Sequence, residues 1–311
     1  MPKPPGGGGG GGDVPVNPVN PPVPPNNNVI RSMYDYLNPD KIDTDAELQA
    51  MLNFCNAQGV NVIYQDIYSY LGGSNWTTTK VTRMQLALEK MHYSGIKVYA
   101  YAGNTDWGYN QQWVQKNIVY PMLKFQDLAK IPANLFDGFH LDVEYWTDAQ
   151  QQASVACPQL CDLARNMRQT MGLPIGCFAA FYLKDSTGTR PSFSYNGKTA
   201  QDGEFLMDVF DQVVVGAYRN TANDNGGQPG QITLFQPWYD YAVGVGRNIG
   251  LLCASETGNF QPSYITYYGM SKAQMEAQHT IISQHFTAAP NTNSVFLGQS
   301  VNSYWDWQAM S

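Results

Sequence analysis

The chain has 311 residues, which is enough for one α/β barrel of about 250 residues with an appendage. Charged residues make up 14%, aromatic residues 13%, and the formal net charge is −7. This balance argues against nucleic acid or an anionic membrane as the main partner, because both attract basic surfaces. The 20 tyrosines and 7 tryptophans favour a surface that stacks on sugar rings, with core packing as the alternative role of each ring.

The five cysteines form no dense framework, and no Cys/His cluster has the spacing of a zinc site. We therefore expect no metal centre, and the predicted chemistry requires no cofactor. No apolar run is long enough to span a membrane, so no membrane association is expected.

Residues 1–28 are rich in glycine, proline and asparagine and cannot bury a core. They are predicted to form a flexible tail, or a tether that attaches the following domain to a larger assembly. No apolar leader region is visible at the N-terminus. The compartment is left unassigned, with an extracellular, virion-surface or cell-surface location among the alternatives.

From residue 29 onward, strand-like and helix-like segments alternate. The predicted strands cover 29–36, 60–68, 96–102, 136–146, 174–183, 212–218, 249–255 and 294–300. The helices predicted between them cover 45–58, 79–93, about 110–130, 148–171, 204–210, about 234–246 and 271–286. Eight strands that alternate with helices predict a single (β/α)8 TIM barrel over residues 29–311.

The fourth predicted strand is the most informative segment. Its apolar residues alternate with His140, Asp142 and Glu144, so these three side chains share one face. In a parallel barrel, polar residues near the carboxyl end of a strand's lumen face lie at the carboxyl-terminal rim, where active sites are found. Two carboxyl groups side by side shift each other's pKa, and glycoside hydrolysis needs an acid and a base with different pKa values.

Polar and aromatic residues follow several other predicted strands, and a barrel would bring them to the same mouth. Acids after five of the strands would repel each other unless the cluster has a use. The predicted substrate-binding residues are Asp35, Asp66, Asn104, Trp107, His140, Trp146, Tyr218, Arg219, Trp305 and Trp307.

Glu144 is the predicted general acid, because its apolar surroundings should raise its pKa. The alternative is a structural ion pair with Arg219. His140 lies one layer deeper and could hydrogen-bond to Asp142, or it could be an ordinary core histidine.

The segment Asp137–Glu144 resembles the Asp-Gly-x-Asp-x-Asp-x-Glu signature of chitinase-like glycosidases. That resemblance implies that Glu144 protonates the glycosidic oxygen and that Asp142 orients the substrate's own N-acetyl group as the nucleophile. Tyr218 resembles the tyrosine of that family's Met-x-Tyr-Asp strand, which contacts the acetamido group. Two residues depart from the pattern: His140 replaces an aspartate, and Arg219 follows the tyrosine in place of an aspartate.

Glu256 supports a second resemblance. Retaining glycosidases of the large barrel clan have an acid/base glutamate after strand four and a nucleophilic glutamate after strand seven, and Glu144 and Glu256 fit that layout. The Asn-Glu pair typical of that clan is missing here. The same motifs, in order and spacing, also resemble a group of poorly characterised hydrolase-like barrels. The alternative role for Glu256 is to cap the turn at Gly258.

The sequence therefore predicts a glycoside hydrolase that acts on a polysaccharide or glycan. Glu144 would be the acid/base, Asp142 its partner and Glu256 the candidate nucleophile. The alternative is a non-catalytic carbohydrate-binding or structural barrel that its tail displays on a virion or cell surface. Hydrolysis of another bond, such as an amide, has no support, because no nucleophilic serine or cysteine elbow is present.

Overall fold

Eight parallel strands form a closed barrel in the computed structural model, which describes residues 29–36, 42–68, 77–129, 132, 135–246, 249–288 and 294–311. The predicted (β/α)8 fold is thus confirmed, whereas the predicted tail at 1–28 lies outside the described residues. Around the barrel the strands are β1 (Ile30–Asp35), β2 (Val62–Asp66), β3 (Lys97–Ala102), β4 (Gly138–Leu141), β5 (Ile175–Ala180), β8 (Gln212–Gly216), β9 (Gly250–Glu256) and β10 (Phe296–Asn302).

Helices pack around the barrel and join successive strands. They are α1 (Asp45–Gln58), α2 (Thr78–Tyr93), α3 (Gln111–Val114), α4 (Tyr120–Leu128), α5 (Ala153–Met171), α6 (Asp202–Val209), α7 (Gln231–Val245), α8 (Lys272–Thr287) and α9 (Tyr304–Ala309). A π-helical turn, Gln115–Val119, links α3 to α4. In the part of the chain that the structure describes, no helix is both long and apolar enough to cross a bilayer.

Local sequence signals explain where the best-predicted helices begin and end. The Thr44 side chain accepts a hydrogen bond from the Glu47 backbone N–H at the start of α1, and Gly59 ends that helix with a φ of 67°. Ser271 and Gln274 form a reciprocal capping box at the start of α8.

The core has two layers that the strand alternation creates. One layer lies between the strands and the helices, and Met33 of β1 belongs to it. The other fills the lumen with Tyr34, Val62, Tyr64, Tyr101, Phe178, Val214, Leu252 and Ala254. One buried polar contact within the lumen is the hydrogen bond that the Tyr64 hydroxyl donates to Gln212 Oε1 at 2.6 Å. These side chains fill the lumen of the barrel below its carboxyl-terminal rim.

The fourth strand is shorter than predicted. It ends at Leu141, a 3₁₀ turn follows at Tyr145–Thr147, and α5 begins only at Ala153. Asp142 and Glu144 therefore lie just beyond the strand, on the rim.

Two elements were not predicted. The segment 184–203 contains the antiparallel hairpin β6 (Phe193–Tyr195) and β7 (Lys198–Ala200), whose Asn196-Gly197 turn has positive φ at both residues. An Asn-Gly pair is a strong hairpin signal, so the sequence contained the information. The C-terminal helix α9 also lies beyond the predicted elements.

Candidate active site

A cavity of about 360 Å³ opens at the carboxyl-terminal rim of the barrel. Three acids line it: Asp142 and Glu144 after β4, and Glu256 at the end of β9. The remaining lining residues are mostly aromatic or apolar, and they are Tyr34, Tyr36, Tyr101, Phe178, Tyr218, Phe260, Ile265 and Asn302. The structure thus brings together the three acids that the sequence singled out.

Close backbone packing fixes the position of Asp142. A Cβ atom at Gly103, just after β3, would lie 1.8 Å from the Asp142 carbonyl oxygen, so only glycine fits there. Asp142 accepts a hydrogen bond from the Tyr101 hydroxyl at Oδ2. Its Oδ1 is buried and has no hydrogen-bond partner among the described residues. Burial raises the pKa of Asp142, while the Tyr101 hydrogen bond opposes that shift.

The Glu144 carboxyl group has no hydrogen-bond or ion-pair partner among the residues that the structure describes. Burial, followed by the nearby charge of Asp142, raises its pKa to about 7. Among the described residues, Glu144 and Arg219 do not form the structural ion pair that was the alternative role for Glu144. A carboxyl group with this pKa is partly protonated at neutral pH and can donate a proton.

Glu256 is held by three donors. Its Oε1 accepts the backbone N–H groups of Thr257 at 2.8 Å and Gly258 at 2.6 Å, and its Oε2 accepts Asn302 Nδ2 at 2.8 Å. Burial raises the pKa of Glu256 to about 7, and these hydrogen bonds oppose the rise because they stabilise the ionised form. Glu256 therefore both caps the turn at Gly258 and faces the cavity.

His140 lies below the acids in the lumen. It hydrogen-bonds through Nε2 to the Tyr34 hydroxyl at 2.9 Å, and its ring lies 4.1 Å from that of Tyr64. Burial lowers its pKa to about 3, so the imidazole is neutral. Its hydrogen bond goes to Tyr34 and not to Asp142, which corresponds to the core-histidine interpretation.

Tyr218 lies where the sequence predicted, at the cavity. Its ring stacks on Phe178 at a centroid distance of 5.9 Å, and its hydroxyl accepts a hydrogen bond from Asn302 Nδ2 at 3.3 Å. Asn302 pairs with Glu256 in the β9–β10 register, which explains how one amide reaches both groups.

Other predicted substrate-binding residues lie away from the cavity. Asp35 is fully buried. Because side chains alternate along β1, it lies in the outer layer of the core, where burial and also its charge raise the pKa of Cys55 and of Tyr304. Trp307 is also fully buried: α9 packs it against Phe54 at a ring distance of 5.1 Å, with Arg31 over its ring. These two placements correct the sequence prediction.

Three further predicted residues do not line the cavity. Asp66 accepts the Tyr68 backbone N–H at 2.7 Å and raises the pKa of Tyr101, so it lies close to that ring. Trp146 is half-buried with its ring 6.3 Å from Phe178. Trp305 is half-buried on α9.

Asn104 and Trp107 line a second, smaller cavity of about 150 Å³. It begins at Gly103, two residues after Tyr101 of the acidic cavity, and its other lining residues are Tyr68, Asp106, Asn110 and Trp113. Trp113 is 41% exposed, so its ring is accessible to solvent.

The aromatic lining of the acidic cavity was not predicted from the sequence. Tyr34, Tyr36, Tyr101 and Phe178 were not assigned to the site, although alternation along β1, β3 and β5 gives them one face. Among the described residues, no group of three or more His, Cys, Asp or Glu side chains is arranged to hold a metal ion.

No protein-family model matches the chain, and no curated protein matches its sequence. Solved structures do match. The exo-β-1,4-mannosidase Op5Man5 from Opitutaceae bacterium strain TAV5 has a TM-score of 0.55 at 9% identity, over 88% of this chain and 51% of that one. The chain thus spans about half of that enzyme's length.

Two further matches cover most of both chains. The endo-1,4-β-mannanase from Rhizomucor miehei has a TM-score of 0.55 at 9% identity, over 88% of this chain and 85% of that one. A GH18 chitinase from Pseudoalteromonas aurantia has a TM-score of 0.50 at 12% identity, over 89% and 94%. At these identities the likeness concerns the fold, and the chain has the (β/α)8 fold of glycoside hydrolase barrels.

Proposed function

We propose that this protein is a glycoside hydrolase that cleaves a polysaccharide or glycan in the acidic cavity. The observation behind the proposal is that two glutamates with pKa values near 7, Glu144 and Glu256, line one cavity together with Asp142. Such a set supplies both a proton donor and a carboxylate at neutral pH, which is what hydrolysis of a glycosidic bond requires.

In the proposed mechanism Glu144 protonates the leaving-group oxygen, because no donor or cation among the described residues holds it ionised. Glu256, which accepts three hydrogen bonds, acts as the carboxylate that attacks the anomeric carbon or stabilises the positive charge there. Tyr218 and the aromatic walls contact the sugar, and Asp142 raises the pKa of its neighbour Glu144.

A variant of this mechanism is favoured by one observation. Asp142 has a buried Oδ1 without a partner among the described residues, which could accept the N–H of an acetamido group. In that case the N-acetyl group of the substrate is the nucleophile, and Glu256 stabilises charge from a distance. The neighbouring folds include enzymes named for both mannan and chitin chemistry, so fold likeness does not choose between the two variants.

The test is hydrolysis of mannan, chitin and aryl glycosides of several sugars by the wild type, by Glu144→Gln and by Glu89→Gln. Glu89 lies exposed on α2, so its variant controls for the loss of one charge. We expect hydrolysis by the wild type and the control but not by Glu144→Gln. Sugar binding without hydrolysis in all three proteins would favour the non-catalytic, displayed barrel instead.

A further inference from the structure

Arg219 differs from the other arginines of the described chain. Six arginines lie in that part, and five of them pair with a carboxylate: Arg31 with Glu276, Arg83 with Asp45, Arg165 with Asp162, Arg168 with Asp211 and Arg190 with Asp202. Arg219 makes no ion pair with any described residue. Arg219 is thus the one arginine of the described chain without a carboxylate partner, although acids outnumber bases in the sequence.

The surroundings of Arg219 hold its guanidinium in place without neutralising it. The group lies over the rings of Phe181 and Tyr264, at 5.4 and 5.2 Å from their centroids. Nη1 donates one hydrogen bond, to the Tyr218 carbonyl at 2.6 Å. Nε is buried without a partner among the described residues, and burial lowers the pKa of the guanidinium. Leaving a half-buried cation unpaired is costly, so an anion at this point would be stabilising.

Arg219 does not itself line the acidic cavity, but residues next to it and to one of its flanking rings do. Tyr218, the preceding residue, lines the cavity, and so does Ile265, which follows the flanking Tyr264. The three cavity acids do not neutralise Arg219: Tyr101 bonds to Asp142, three other donors bond to Glu256, and Glu144 has no partner in the described chain. The guanidinium is thus available to a group that arrives with the ligand.

We propose that Arg219 binds a carboxylate carried by the carbohydrate, so that the substrate is an acidic glycan rather than a neutral one. This inference rests on the proposed function, in which the cavity takes a carbohydrate. A planar guanidinium with unused N–H groups matches a carboxylate in shape and charge. A neutral sugar would leave the cation unpaired.

The experiment measures binding by the full chain with Glu144→Gln, which keeps the ligand intact. Matched probes are β-1,4-linked oligomers of glucose, mannose and N-acetylglucosamine, the first two also with their C6 groups oxidised to carboxylates or sulfated. We expect a carboxylated oligomer to bind about tenfold or more tightly than its neutral form at low salt, since hydrogen bonds to charged groups are strong. High salt should reduce the preference.

Adding Arg219→Gln should abolish this preference, because it lowers the affinity for carboxylated oligomers about tenfold more than the affinity for neutral ones. Arg219→Lys should keep part of the preference. Arg165→Gln, which breaks an exposed ion pair, is the control for charge. Thermal unfolding of each variant checks that the substitution has not destabilised the fold around Phe181 and Tyr264.

Several results would overturn the inference. Equal binding of neutral and carboxylated oligomers, together with hydrolysis of the neutral ones by the wild type, would refute it and leave the proposed function standing. An equal loss of affinity for neutral and carboxylated oligomers in Arg219→Gln would mean that Arg219 supports the local structure and does not bind a carboxylate. A preference for sulfated over carboxylated probes would replace the carboxylate with another anion. Binding of no oligomer at all would refute both proposals.

Discussion

Glu144 follows β4 and Glu256 ends β9, two strands that β5 and β8 separate in the barrel, and both residues line one cavity. Burial raises the pKa of each to about 7. Their surroundings differ. Three donors bond to the Glu256 carboxylate, whereas Glu144 has none in the described chain and lies beside the acid Asp142. Hydrogen bonds favour the ionised form and a neighbouring negative charge favours the protonated form. This difference is the reason why the proposed mechanism gives proton donation to Glu144 and the carboxylate role to Glu256.

The largest effect is expected from Glu256→Ala, because it removes the proposed nucleophile. We expect kcat to fall by more than about 10⁴-fold, and azide to restore part of the rate by taking the place of the carboxylate. Product analysis by NMR would detect the glycosyl azide. If the substrate's N-acetyl group is the nucleophile instead, the loss will be much smaller and azide will have no effect.

A smaller fall in kcat is expected from Glu144→Gln, about 10²- to 10⁴-fold for a substrate with a sugar leaving group. The loss should nearly vanish for a dinitrophenyl glycoside, which departs without a proton, and initial rates on the two substrates measure this difference. Glu256→Ala provides the contrast, since a better leaving group should not rescue it. If Glu144→Gln lowers kcat equally for both substrates, the role of Glu144 as the acid is contradicted.

The same comparison predicts a pH profile. Glu144 must be protonated, so activity falls as pH rises above about 7, and Glu256 must be ionised, so activity falls below about 7. The profile of kcat/KM should be bell-shaped around neutral pH. In Glu144→Gln with a dinitrophenyl substrate, the alkaline limb should disappear and the acidic limb should remain.

Asn302→Ala sharpens this assignment, because it removes the side-chain donor to Glu256 at Oε2. A lost hydrogen bond to the ionised form should raise the pKa of Glu256 and move the acidic limb up by about one pH unit. Asn104→Ala, in the second cavity, is the matched control and should leave the limb in place. An unchanged limb in Asn302→Ala would show that this hydrogen bond does not tune Glu256.

The sequence predicted the parts of the site that follow from strand alternation along one segment. Asp142 and Glu144 lie two residues apart after β4, so one pattern located both, and Glu256 followed from counting strands. Asp35 and Trp307 were misplaced because their assignment rested on position near a strand end, not on which face they occupy. The direction of Asp35 depends on its register in β1, where Tyr34 and Tyr36 take the cavity side.

Contacts between distant segments could not be read from the sequence. The Asn302 amide reaches Glu256 only because β9 and β10 are neighbours in register. Likewise, Phe181 and Tyr264 approach Arg219 from loops after β5 and β9. Such contacts depend on barrel closure, whereas the helix limits at Thr44, Gly59 and Ser271 depend on local capping and were predicted well.

The smallest effect concerns the second cavity, which adjoins the acidic one at Gly103. If a polymer extends from the acids into it, the exposed ring of Trp113 stacks on a sugar distant from the bond that is cleaved. Trp113→Ala should then raise KM for the polymer about tenfold, without changing kcat or the hydrolysis of an aryl monoglycoside. Tyr120→Ala, an exposed ring on α4, is the control. Equal effects on polymer and monoglycoside would mean that Trp113 supports the fold near β3, and that the acidic cavity binds its substrate without this pocket.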